Sequence, residues 1–526
     1  MGIGDTEVST VGRHVGRQRA RERGACASRC ASYVGRRASF RKLRSALTTA
    51  AGVGAVALTM VGCAAEQPTV VPGRAVSMRY DPAKASGLPV TDGPSGIRQS
   101  APTPKGSVRN TDHGPVDQLM LLAVNDVEDY WNSAYPRTFG AEFEPVSFLL
   151  SVDPADFSSP DVCGGDADEV SGNALYCILD NSINWDRSEQ SGIVPIARKY
   201  FGDMGVVGIT AHEYGHAIQH NAGLVQRHTD TLIKEQQADC FAGAYLRWAA
   251  EGHSPRFALS TGDGLSHVLA GAIAIRDPLA GDPFAALGDT HGTALDRVSA
   301  VQMGFDQGPK QCAKINAAEI QRRRGGLPES LFDPSGDDSD TTIDASTLAT
   351  TLDILNPVFR PTHPPVLSTD SPMCRGAGQA TAYCPDTNTI AVDLPKLAQM
   401  GISADESQGF LIQGDNTALS AFTSRYVLAL QHERNLPLDT PEAAMRTACL
   451  TGAAQRAMTT SRPTSSGQTL ILGPGDIDEA VAGLLTNGVA ASDARGVPVP
   501  AGFTRISAFR AGLLGDSADA CFQRFP

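Results

Sequence analysis

Along residues 116–132, VDQLMLLAVNDVEDYWN, apolar side chains recur every three or four positions, which predicts a helix with one face on a core. Residues 146–152 (VSFLLSV) and 174–179 (ALYCIL) are short apolar runs and predict strands. Helical spacing returns over 205–220, GVVGITAHEYGHAIQH, where Val206, Val207, Ile209, Ala217 and Ile218 are apolar and Asn221-Ala222-Gly223 supplies a stop. Gly205, Gly208 and Gly215 weaken the intrinsic helicity of this stretch, so packing has to hold it. A further helix starts at Glu235 and runs on as QQADCFAGAYLRWAA, with others at 265–275 and 294–304. The pattern is α+β, with a small sheet ahead of a set of helices.

The chemistry sits on two of these helices. His212-Glu213-Tyr214-Gly215-His216 is an H-E-x-x-H, and on a helix positions i and i+4 share a face, so both imidazoles reach one metal ion. Glu213 then lies beside the open coordination position, as a general base for a bound water. Nineteen residues after His216 comes Glu235-Gln236-Gln237-Ala238-Asp239, which places two carboxylates on one helix face. Glu235 completes a His2Glu zinc set with one open position, as in zinc peptidases, and one zinc per chain is expected. Asp239 is placed to accept the other ring N–H of a ligand histidine. His220, four residues after His216, is read as structural, because the geometry favours the set with Glu235.

These residues resemble the bacterial putative neutral zinc metallopeptidase family, in particular its mycobacterial-type lipoprotein peptidases. The matching segments are AHEYGHAIQ (211–219), EQQADCFAG (235–243) and HGTALDRVSAVQMGF (291–305), within roughly residues 114–315. The resemblance implies a zincin-like fold, a glutamate as third ligand and peptide-bond hydrolysis, with an edge strand along the cleft for an extended substrate. It supplies no substrate. In the third segment His291 and Arg297 are candidates for polarising the substrate carbonyl or stabilising the oxyanion. The alternative is that Arg297 pairs with a core carboxylate and His291 caps a loop.

The N-terminus reads as an export signal. A basic stretch, RRASFRKLR at 36–44, precedes the small apolar run SALTTAAGVGAVALTMVG and Cys63. Met60-Val61-Gly62-Cys63 is similar to a bacterial lipobox, so residues 1–62 are expected to be a lipoprotein signal peptide and Cys63 the lipidated residue. Two acyl chains on Cys63 would give stable membrane attachment on the outer side of the cytoplasmic membrane. Residues 1–33 are long and Arg-rich for such a leader, which points to a true start near Val34. Residues 63–113, rich in Pro, Gly and Ser, read as a flexible tether. Charge adds one exclusion. Residues 1–62 hold 11 Lys/Arg and 3 Asp/Glu, whereas the rest holds 33 and 54, and so acidic a body disfavours nucleic acid as a partner.

The back of the chain repeats the front without its metal site. Cysteines 240 and 312 are 72 residues apart, as are 449 and 521. Tyr176-Cys177 is followed by Asn181, Ile183 and Asp186, and Tyr383-Cys384 by Asn388, Ile390 and Asp393 at the same offsets. RVSAVQMG (297–304) answers RISAFRAG (505–512). Aligning Tyr214 with Tyr426 puts Ser424, Arg425 and Leu428 where His212, Glu213 and His216 stand, and aligning Cys240 with Cys449 puts Ala444 and Ala448 at Glu235 and Asp239. The expected organisation is a zincin-like catalytic domain at 114–324, an acidic linker at 325–345 and a degenerate copy without metal ligands at 346–526. Four cysteines per half allow three pairings each, and the repeat suggests Cys163–Cys177, Cys240–Cys312, Cys374–Cys384 and Cys449–Cys521.

Two functions compete on this evidence. One is a zinc peptidase of the bacterial envelope, acting on a peptide or protein. The other is a non-catalytic, envelope-anchored binding or scaffold lipoprotein with a vestigial site. The intact base at Glu213 separates them, since a structural zinc site takes four protein ligands and needs no glutamate beside the metal. The sequence gives no oligomeric state.

Overall fold

The computed structural model describes residues 81–189, 192–274, 292–332, 341–370, 374, 379–403, 413–515 and 517–526. Cys63, the export signal and His291 lie outside them. In chain order the strands and helices are β1 (Lys84–Ala85), β2 (Leu88–Pro89), β3 (Gly96–Ile97), β4 (Val108–Arg109), α1 (Pro115–Phe139), β5 (Phe148–Val152), β6 (Ala174–Cys177), β7 (Ser182–Asp186), α2 (Ile193–Asn221), α3 (Thr231–Ala250), β8 (Phe257–Ala258), α4 (Asp263–Ala274), α5 (Ala294–Gln307), α6 (Pro309–Cys312) and α7 (Ala317–Arg324). The second half follows as α8 (Ala345–Phe359), β9 (Val366–Ser368), β10 (Thr381–Cys384), β11 (Thr389–Val392), α9 (Leu394–Met400), α10 (Asp415–Glu433), α11 (Pro441–Met458), α12 (Pro474–Thr486), α13 (Gly502–Leu513) and α14 (Asp519–Arg524).

The main sheet has the order β4-β5-β7-β6, with β5 parallel to β4 and β7, and β6 antiparallel to β7 at one edge. Helix α1 packs against α2, its apolar face carrying buried Leu119, Met120, Val127 and Trp131. Trp185 of β7 is fully buried, and its indole N–H donates to Asp117 of α1 at 2.9 Å. Helix α2 breaks at Gly202, whose φ of 72° suits glycine, and the ligand-bearing part follows the break.

The segment read as a flexible tether is packed from Asp81 onward. Strand β4 joins the main sheet beside β5, and β3 pairs with β8, with Gly96 opposite Ala258, 162 residues further on. Hydroxyl pairs, Thr91 with Thr261 and Ser95 with Ser260, fasten the same segment to the body. Composition signals turns here, but the partners are distant in sequence and leave no local mark. Both ends of the expected acidic linker are also packed, with Leu327, Leu331 and Ile343 buried.

The two halves share several details. In the second, β10-β11-β9 repeats the arrangement of β6, β7 and β5, antiparallel then parallel. Tyr176 Oη bonds Asn181 and His220, each at 3.1 Å, and Tyr383 Oη bonds Asn388 and His432, each at 2.9 Å. A Cβ on Gly243 or Gly304 would strike the backbone of α5 or α3, and one on Gly452 or Gly512 would strike α13 or α11. Disulfides join Cys163 to Cys177, Cys240 to Cys312, Cys374 to Cys384 and Cys449 to Cys521. Among the described residues no helix is long and apolar enough to cross a membrane.

Candidate metal centre

Helices α2 and α3 build the site by close approach. Gly215, in the middle of H-E-x-x-H, faces Ala238, and a Cβ there would lie 2.8 Å from the Ala238 Cα. This absence of a side chain lets α3 bring Glu235 up to both histidines. Asp230 starts α3, its carboxylate accepting from the Leu232 N–H at 2.9 Å.

One ligand atom each from His212, His216 and Glu235 fall within 4.8 Å of one another. His212 Nε2 stands 3.1 Å from one Glu235 oxygen and His216 Nε2 3.5 Å from the other. Ligands about 2.0–2.1 Å from a tetrahedral zinc lie roughly 3.3 Å apart, so this spacing fits the ion. The far ring nitrogens are engaged elsewhere. His212 Nδ1 meets Asp239 at 2.8 Å, and His216 Nδ1 meets Gln219 Oε1 at 3.1 Å. Each contact turns the imidazole so that Nε2 faces the centre. Gln219 is itself buried and bonded to the Lys234 carbonyl, which ties the end of α2 to the start of α3.

Facing charges hold these side chains together. Burial works against a charged His212, but the Asp239 and Glu235 carboxylates outweigh it and push the group up to about 10. Burial would raise Glu235, yet the facing His216 and His212 hold it well below the usual carboxylate range. Glu213 behaves differently: burial raises it, and the two histidines only partly offset that. Its Oε2 accepts the Tyr176 N–H of edge strand β6 at 2.9 Å, so this carboxylate is fixed against the strand that borders the site. A buried carboxylate beside the three ligands, with a raised affinity for protons, is suited to taking and returning one.

The structure brings together His212, Glu213, His216, Glu235 and Asp239. Arg297 is not placed to touch a substrate. It is 1 % exposed and donates to Asp239 Oδ1 at 2.8 Å, behind His212. His220 is exposed and bonded to Tyr176. Sequence reasoning passed over Gln219, although its position three residues after His216 on one helix was the available signal. It also passed over a second cluster, Asp415, Asp476 and Glu479. That cluster has no histidine, and its carboxylates accept the Thr341, Gly473 and Asn416 N–H groups around the starts of α10 and α12. Arg425, the residue expected from the sequence to stand in for Glu213 in the second half, is buried and donates to the Val489 carbonyl at 2.9 Å and to Ser492 Oγ at 2.5 Å.

The sequence pattern of the family described as putative neutral zinc metallopeptidase matches residues 41–315. No curated protein and no solved structure matches the chain. The match spans the sheet, both ligand-bearing helices and α5, and with a His-His-Glu set of the right spacing at its centre, the chain belongs to the putative neutral zinc metallopeptidase family.

Proposed function

We propose that this chain is a zinc-dependent peptidase of the bacterial cell envelope, with one zinc held by His212, His216 and Glu235 and with Glu213 as general base. The observation that carries the reading is Glu213 itself, a buried carboxylate next to a three-ligand set and fastened to β6. Bound zinc would supply Lewis acidity towards the scissile carbonyl and the attacking water. Glu213 accepts the proton of that water and hands it to the departing amine. Asp239 and Gln219 keep the two imidazoles in the ligating tautomer. Strand β6, at the edge of its sheet among the described residues, offers backbone groups to an extended peptide beside the base.

The envelope location rests on the basic and apolar leader ending at Cys63, whose diacylglyceryl group would hold the chain to the membrane. We read residues 346–526 as a degenerate second copy, supported by the repeated strand arrangement, the repeated Tyr–Asn–His contacts and the two 72-residue disulfides. With Ser424, Arg425, Leu428, Ala444 and Ala448 at the ligand, base and Asp239 positions, that copy holds no zinc of its own.

The test is Glu213→Gln. The variant should keep one zinc per chain by elemental analysis and lose at least about a hundredfold in cleavage of a peptide library. Full turnover by a zinc-loaded Gln variant would reject Glu213 as the base. Absence of zinc in the wild-type chain would reject the whole reading.

A further inference from the structure

Helix α5 is buried along nearly its whole length, from Ala294 to Phe305. A helix hidden on every side needs partners on every side. One side packs on α3, with Gly304 against the Cys240 carbonyl. The other side meets the second half. Gln302 donates to the Phe503 carbonyl at 2.9 Å and to Ser507 Oγ at 3.1 Å, and it accepts from Arg510 at 2.8 Å. The Phe305 and Phe503 rings stand 5.0 Å apart.

The start of α5 is completed from the same direction. Its first four N–H groups have no partner within the helix. The Thr293 hydroxyl serves one, accepting from Asp296 N–H at 3.2 Å, and the regular ladder opens with Arg297 N–H on the Thr293 carbonyl at 3.0 Å. Two more go to the second half, where Asp478 of α12 accepts from Ala294 N–H at 3.0 Å and from Leu295 N–H at 3.4 Å. Asp478 is 1 % exposed, and its negative charge faces the positive end of the helix. Arg297 belongs to this first turn, and it is Arg297 that grips the Asp239 oxygen held by His212 Nδ1.

We propose that the second half is a built-in support of the metal site, in which Asp478 acts as a positioning residue: it fixes the first turn of α5 and, through Arg297 and Asp239, the orientation of His212. This rests on the metal-binding part of the function proposed above. It gives the degenerate half a role in the centre it does not share.

The experiment uses the full chain, with Co2+ as spectroscopic probe and zinc affinity read by chelator competition. Asp478→Ala and Arg297→Met should each weaken zinc by about tenfold and alter the Co2+ d–d spectrum at saturating metal. Asp478→Asn, which keeps one acceptor oxygen and the volume, should fold and fall between Ala and wild type, and it decides the matter if the Ala variant does not fold. Because both residues act along one route, the double variant should lose no more than the weaker-binding single variant. Wild-type affinity and spectrum in folded Asp478 variants, or losses that multiply in the double variant, would overturn the proposal while leaving the zinc reading intact. Failure of the wild-type chain to bind either metal, alongside a His212→Ala control, would remove the parent reading instead.

Discussion

Protons on both ligand imidazoles set the balance between the metal-free and metal-loaded forms, since the facing carboxylates raise His216 and, further, His212. His212 is raised from 6.5 to about 10, so its stabilising contribution to the metal-free fold is complete below its unfolded value and is lost as pH rises through about 10. Zinc needs the same nitrogen without its proton, so binding tightens over that range. The gap between the melting temperatures of zinc-loaded and zinc-free protein is therefore expected to widen from about pH 7 to about pH 9. A gap that stays constant would mean that His212 is not the proton acceptor. The other imidazole depends on Gln219. Truncating Gln219→Ala frees the His216 ring and separates α2 from the Lys234 carbonyl, so zinc affinity should fall about tenfold with the fold retained, as chelator competition and circular dichroism would show. Unchanged affinity would assign the Gln219 contact to packing alone.

At the scale of elements, the site is a product of how closely helices approach. Gly215 is where α2 touches α3, and an added methyl would sit within 3.0 Å of both the Cα and the carbonyl oxygen of Ala238. The helices would have to separate, carrying Glu235 away from the histidines. Gly215→Ala is expected to destabilise the chain by about 1–3 kcal/mol and to weaken zinc by more than tenfold. Thermal melts and a zinc titration check both parts, and a variant with normal zinc affinity would show that α3 can yield without moving Glu235. The Cys240–Cys312 disulfide adds to the same packing, since Cys240 follows Asp239 directly and its partner ends α6, the short helix after α5.

At the scale of the molecule, the front half does not close on itself. Helix α5 presents Gln302 and Phe305 to α13, and its first turn to Asp478. Cutting the chain after residue 324 would leave these groups in water and two N–H donors of the α5 start without their carboxylate. The fragment is expected to be poorly soluble or to lack fixed tertiary packing, with a lost near-ultraviolet circular dichroism signal and little zinc. A folded fragment that binds zinc as the full chain does would show that the second half is dispensable for the site.

Much of the metal centre was legible along the chain because its parts are local. His212, Glu213 and His216 lie on one helix face, and Glu235 and Asp239 on another, so periodicity alone sets each group on a common side. The helices were legible for the same reason, although α1 and α2 extend further than their most regular stretches. What the sequence could not reveal were pairings between distant segments. Strand β4 is two residues long and takes its place only from β5, and the Asp81–Asn110 segment looked like a tether because its partners are far along the chain. Arg297 has the charge of an oxyanion stabiliser, but burial beside Asp239 makes it a support. Asp478 lies 184 residues from the N–H group it satisfies, and no local pattern announces such a contact. By itself the sequence determined which side chains make the candidate metal centre, His212, Glu213, His216 and Glu235, since helical periodicity is short-ranged. Only the tertiary structure decided what holds them, since that depends on which buried polar groups meet once the chain has packed.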